Sequence, residues 1–170
     1  TPDGNLCYSD GSEIVKITPN GDICWSRDLS SYSSCISISN TSNNFLTCYG
    51  NYSNLILLNY ENGAILGNWA IPTGGNHYSY HFAIASSDSI FYCFDNTSHG
   101  TTSNTAIKLT KVQINTAAEV IWSFEVPDLL QPVGLVDDNI IYFGGQQLDP
   151  WTNTLLYKIE DMGDNYQLVS

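Results

Sequence analysis

Basic residues, long apolar runs and helical periodicity are all scarce in this chain. Only five of its 170 residues are Lys or Arg, namely Lys16, Arg27, Lys108, Lys111 and Lys158, and they form no basic patch. Seventeen acidic residues against these five give a net charge of −12. A surface of that sign is repelled by nucleic acid and by anionic lipid, so neither is expected as a partner. No stretch approaches the roughly 18 apolar residues of a helical membrane span. Charged residues make up 13% of the chain, about half the usual share, so solubility rests on Ser, Thr, Asn and Tyr. There is no Cys-x-x-Cys to suggest a zinc or thioredoxin-like site. No Gly-x-Ser-x-Gly elbow is present, and Gly144-Gly145 precedes no helical pattern, which excludes a phosphate loop. The chain opens Thr1-Pro2 without methionine, as a processed or partial chain would.

Apolar residues alternate over short runs, with Gly, Asn, Asp and Ser every 8–12 residues, and that spacing predicts many short antiparallel strands. Two markers repeat along them. Val15-Lys-Ile-Thr-Pro-Asn-Gly21-Asp-Ile-Cys-Trp25 has counterparts in Leu57–Trp69, Val112–Trp122 and, more weakly, Tyr157–Tyr166. The aligned turn residues Gly21, Gly63, Ala118 and Gly163 are 42, 55 and 45 residues apart. In the second copy the tryptophan sits two residues later, which keeps it on the same face of a strand. In phase with these, Leu6-Cys7-Tyr8-Ser9-Asp10 matches Thr47–Asn51, Tyr92–Asn96 and, more loosely, Tyr142–Gly145. Each unit resolves into four strands, and four-stranded units of about 40–45 residues are the blades of a β-propeller. The expected fold is all-β, with about four blades near 1–30, 31–73, 78–128 and 131–170. The first lacks its opening strand, which leaves a sheet edge open.

The units resemble the quinoprotein-like, PQQ-repeat type of propeller repeat, in which an apolar strand, an Asp-x-x-Thr-Gly type turn and a Trp-bearing strand follow one another. The corresponding turns here are Thr18–Gly21, Tyr60–Gly63 and Asn115–Ala118. The chain departs from the pattern at Ala118 and in the fourth unit, which ends Tyr166-Gln-Leu-Val. No strand ends in Trp-Asp, unlike WD40 repeats. The resemblance implies a propeller, and the enzymes of that family hold their cofactor with a vicinal cysteine pair, a basic residue and calcium. This chain has no adjacent cysteines and no patterned basic residues, so no cofactor is expected. Trp25, Trp69 and Trp122, at one point of each outer strand, fit inter-blade wedges better than ligand-stacking residues.

Cys7, Cys48 and Cys93 are repeat-equivalent. Neighbouring sheets lie about 10 Å apart, so these three are read as small buried hydrophobes. Cys35 and Cys48 flank the turn Asn40–Asn43 symmetrically, and that spacing sets them opposite each other as a candidate cross-strand disulfide. Asn40, Asn51 and Asn96 begin Asn-x-Ser sequons in predicted turns, where a glycan could be carried. Three is also the number composition alone predicts. His77 and His81 would share a face if extended, but a metal needs a third ligand and none lies nearby, so they are read as polar loop residues and no metal is expected. No catalytic constellation emerges. The expected protein is a non-catalytic extracellular or cell-surface module that binds proteins or glycans, or joins copies of itself through the open edge. A segment of a quinoprotein-like enzyme and an intracellular interaction scaffold remain as alternatives.

Overall fold

Fifteen strands and one short 3-10 turn (Ser30–Tyr32) make up the regular structure of the computed structural model. It describes residues 3–32, 35–40, 44–49, 54–71, 82–87, 89–98, 105–147 and 154–169. The strands form four antiparallel sheets in chain order. The first holds β1 (Leu6–Ser9), β2 (Glu13–Ile17) and β3 (Ile23–Asp28). The second holds β4 (Cys35–Asn40), β5 (Asn44–Tyr49), β6 (Asn54–Asn59) and β7 (Ile65–Ala70). The third runs β8 (Phe82–Ala85), β9 (Ile90–Ser98), β10 (Thr105–Ile114) and β11 (Ala118–Pro127). The fourth runs β12 (Leu129–Asp137), β13 (Ile140–Gln147), β14 (Thr154–Asp161) and β15 (Tyr166–Val169). Each sheet is a simple meander, and β1 is the terminal strand of a sheet of three.

The sheets stack face to face as propeller-type blades. β1 packs on β4, β4 on β8, and β12 on β9 and β10. Among the described residues no strand of the fourth sheet packs broadly on the first. Period-two alternation divides each central strand between two neighbours. In β6, Ile56 and Leu58 join Ile14, Trp25 and Leu29 in the core between the first two blades. Leu55, from the other face, joins Ile71, Phe91, Cys93 and Val112 between the second and third. A third core, between the third and fourth blades, centres on Tyr92, Phe94, Leu109, Trp122, Phe143 and Ile159. Every sheet is thus buried on both faces where it has two neighbours. The inner edge of β8 is also blunted: the amides of Ala83 and Ala85 donate to the Ser37 and Ser39 hydroxyls of β4, at 3.2 and 3.0 Å.

The turns and registers differ in detail from what local sequence favours. An Asn-Gly pair favours a two-residue hairpin because both residues tolerate positive φ, yet Asn20-Gly21 does not make one. Only Gly21 of the pair has positive φ, the Gly21 amide donates to the Thr18 carbonyl, and the Thr18 amide donates to the Asp22 carbonyl. This is a three-residue loop with glycine in the left-handed position. Ala118 replaces glycine without strain because it already belongs to β11 and has no positive φ. The Cys35–Cys48 opposition is corrected as well. A pairing shift between Cys35 and Ser37 sets Cys35 against Tyr49 and Ser37 against Cys48. A one-residue slip carries a side chain to the other face, so the two cysteines are not direct cross-strand neighbours; their side chains lie outside the described residues.

Glycines mark where aromatic rings cross between elements. A β-carbon on Gly63 would lie 2.6 Å from the Trp25 ring, and one on Gly134 would lie 2.0 Å from the ring of Phe94. Gly63 and Gly21 share positive φ (67° and 91°), yet nothing lies within 4 Å of a β-carbon on Gly21. Gly63→Ala is therefore expected to cost about 1 kcal/mol of backbone strain plus about 1–3 kcal/mol of overpacking, and Gly21→Ala the strain alone. Urea unfolding of both variants checks this; equal losses would remove the Trp25 contact from the account.

Candidate interaction surface and the inter-blade seams

Two buried lysines, Lys16 and Lys111, sit at the seams between blades. In the first blade Lys16 of β2 lies directly opposite Trp25 of β3, with the ladder shifting just after the lysine. In the third blade Lys111 of β10 lies opposite Trp122 of β11, again just before a shift. Both lysines are nearly inaccessible, at 3% and 7% exposure. Each points at the outer hairpin turn of the next blade. Sequence reading treated the five basic residues as scattered; their partners, 44 and 50 residues away, became visible only on folding.

At the first seam the Trp25 indole N–H donates to the Tyr60 carbonyl at 2.9 Å. The Lys16 ammonium reaches the same carbonyl at 3.4 Å and stands 3.4 Å from the centre of the Tyr60 ring, a cation–π placement that a buried ammonium favours. Asp3, 2.9 Å from Lys16 Nζ, neutralises it. Arg27 Nε donates to the Gly63 carbonyl at 2.7 Å. At the third seam Asp161 is the hub. Lys111 Nζ lies 3.0 Å from Oδ1 and 2.7 Å from Oδ2 and also donates to the Gly163 carbonyl at 2.8 Å. Trp122 Nε1–H donates to Asp161 at 3.3 Å, the Gly163 amide donates to it at 2.9 Å, and the Tyr92 hydroxyl makes a short hydrogen bond to it. Burial pushes the Asp161 carboxyl upward. The Lys111 ammonium, the Tyr92 hydroxyl and the Gly163 amide outweigh it and hold the group below the usual carboxylate range. Burial, then the Asp161 contact, push the Tyr92 phenol well above its ordinary value.

The second blade has no lysine at the position equivalent to Lys16 and Lys111. Leu57 pairs with Gly67 just before the shift in the second blade, where the first and third blades place Lys with Trp. Trp69 folds back over Gly67, whose added β-carbon would meet the indole at 2.0 Å. Trp69 packs there with Ala85 and Ala118 against the Leu55–Phe91 core. All three tryptophans therefore face the following blade, and two of them donate to its outer turn.

Among the remaining sequence candidates, Asn96 lies inside β9, opposite Ile107, rather than in a turn; the β9–β10 hairpin continues through Asp95–Ser98, four residues past the apolar run that marked the strand. Asn40 ends β4, paired with Phe45. The side chains of Asn40 and Asn96, and all of Asn51, His77 and His81, lie outside the described residues. No group of three metal-ligating side chains occurs among the described residues, and no helix of the structure is long and apolar enough to cross a membrane. Cys93 is buried, Cys24 exposed, and burial pushes the half-buried Cys7 thiol up to about 11. Most of the large exposed apolar side chains described lie on the first and fourth blades, with Ile65, Leu66 and Val120 on the two between. Leu6, Tyr8 and Ile23 lie on the first blade, and Val133, Leu135 and Leu156 on the fourth, where an open hollow of about 420 Å³ is lined by Val133, Gly134, Leu135, Tyr142 and Leu156.

Two outcomes follow from this chemistry. Asp161→Asn leaves a buried ammonium without its counter-charge and is expected to cost about 3 kcal/mol at neutral pH. Because the folded-state pKa of Asp161 lies below its unfolded value near 3.9, that stabilisation is complete above about pH 5 and fades as pH falls through the folded value. The gap between wild type and variant in urea midpoint should therefore be constant above pH 5 and close in acid. Alkylation of the native protein at pH 8, read by peptide mapping, should modify Cys24 first and reach Cys7 and Cys93 only on unfolding; equal rates at Cys7 and Cys24 would contradict the burial of Cys7.

No family model matches the chain, and no curated protein matches it. Among solved structures, the WD40 domain of SCAP from fission yeast is similar over 98% of this chain and 42% of that one, with 10% sequence identity and a TM-score of 0.45. The chain thus spans about two fifths of that structure's length.

Proposed function

We propose that this chain is a non-catalytic propeller-type module of the extracellular space or cell surface, which works by holding other proteins or glycans and by joining further chains at its open edge. The observation that carries this reading is the three-stranded first blade. β1 ends its sheet and carries the exposed Leu6 and Tyr8, so a partner segment can extend the ladder by strand addition. Composition supports an exterior setting. Three of the five basic residues, Lys16, Arg27 and Lys111, are taken up by the seams. What remains for the surface is acidic and rich in Asn, Ser and Tyr, a composition suited to hydrogen-bonded protein or glycan contacts.

Intact mass of the protein purified from its own cells, before and after N-glycosidase treatment, tests the exterior reading. The expected result is a loss of glycan mass with Asn converted to Asp at one or more of Asn40, Asn51 and Asn96. Three unmodified asparagines would overturn it.

A further inference from the structure

The outer face of the fourth blade repeats the face with which the third blade grips the fourth. In the third blade one rung of the sheet runs Ile84, Tyr92, Lys111, Trp122, and that rung is buried against the Asp161 turn. The corresponding rung of the fourth blade runs Leu135, Tyr142, Lys158, Val169. It places tyrosine beside lysine on the same two strands of the blade. Lys158 also stands five residues before Gly163, as Lys16 stands five before Gly21. The next rung, Val133, Gly144, Leu156, stands where the third blade has Phe82, Phe94, Leu109. Glycine stands in that rung where the third blade has Phe94, and the hollow on this blade is lined by Val133, Gly134, Leu135, Tyr142 and Leu156. Leu135 and Leu156 are 58% and 61% exposed, whereas Leu109 of the third blade is fully buried.

A blade face of this kind fits the opposite face of another blade. The described residues hold one such face without a neighbour: the side of the first blade opposite Cys7 and Trp25. There Leu6 pairs with Ile17, Tyr8 with Val15 and Ile17 with Ile23, and Leu6, Tyr8 and Ile23 are 59%, 44% and 68% exposed. Its outer turn, Thr18–Asp22, is the repeat equivalent of the turns that take Lys16 and Lys111. It offers the Gly21 carbonyl, in place of that of Gly163, and the exposed carboxylate of Asp22.

We propose that the fourth blade of one copy docks on the first blade of a second copy, head to tail, with Lys158 seated at the Thr18–Asp22 turn and an apolar side chain of the first blade filling the hollow between Val133, Leu135, Tyr142 and Leu156. This names a partner for the binding module proposed above, and rests on that reading, but uses sheet faces rather than the β1 edge. The contact is heterologous, so it closes into a ring or continues as a chain of copies. Two chains of charge −12 repel at long range, so added salt strengthens the docking.

Sedimentation of the full chain at about 0.1 mM, a concentration that populates micromolar complexes, tests this with two variants, Leu156→Glu and Ile23→Glu, one on each face. Wild type is expected to associate with concentration, and more so at high salt. Each variant alone should be monomeric. An equimolar mixture of the two should stop at one-to-one pairs, because each retains the face the other has lost. Native circular dichroism and unchanged urea midpoints keep misfolding out of the comparison. Lys158→Glu should weaken association at least tenfold without touching the fold. A monomeric wild type overturns the docking, as do association that survives Leu156→Glu and a mixture that fails to pair. Association that survives both face variants but is lost on a Tyr8→Pro change in β1 would place self-joining at the edge, sparing the binding-module reading while refuting this one. Glycan mass tests that reading separately.

Discussion

The first and third seams depend on one kind of contact between sheets: a tryptophan and a lysine, side by side on the outer strands of one blade, reaching the outer hairpin of the next. The apolar cores would hold the sheets together in many sliding arrangements, because dispersion and hydrophobic burial have little direction. Hydrogen bonds from Trp25 Nε1 and Lys16 to one carbonyl, that of Tyr60, have direction. A desolvated ammonium left unpaired costs several kcal/mol, so a slide that separated Lys111 from Asp161 would be opposed far more steeply than one that merely exchanged aliphatic neighbours. The buried charges thus set blade register more than they add stability.

The same position is solved three ways along the chain. At the first seam the acceptor is a backbone carbonyl, with Asp3 and the Tyr60 ring balancing the charge. At the third it is a carboxylate surrounded by donors. At the middle seam Leu57 and Gly67 replace the lysine and its partner, the indole of Trp69 fills the space over the glycine, and serine hydroxyls cap the edge of β8. What the two turns, Tyr60–Gly63 and Asp161–Gly163, share is a backbone carbonyl reached by the lysine, that of Tyr60 and that of Gly163; the side chains around it differ.

These internal uses shape the exterior. With Lys16, Arg27 and Lys111 drawn into seams, little positive charge remains to offset seventeen carboxylates, and most of the large exposed apolar side chains described lie on the first and fourth blades. A stack of sheets buries both faces of every blade except the outer faces of the first and last. What these faces offer to a partner is a consequence of how the repeat is built.

Strand alternation and the phase of Trp25, Trp69 and Trp122 against Gly21, Gly63 and Ala118 were enough to read four antiparallel units and an incomplete first blade, because both depend on local periodicity and on one repeated spacing. The extent of the β9–β10 hairpin past Phe94 was not legible, since polar residues such as Asn96 and Thr97 pair in a ladder as readily as they occupy a turn. Nor was the shift that separates Cys35 from Cys48, because a single extra residue in a strand leaves composition unchanged yet reverses a face. The pairing of Lys111 with Asp161, and the likeness of Lys158 to it, needed the tertiary structure for a different reason. Short-range pattern determines which residues lie on a face, but which face meets which charge is decided only when sheets tens of residues apart are brought into contact and water is removed from between them.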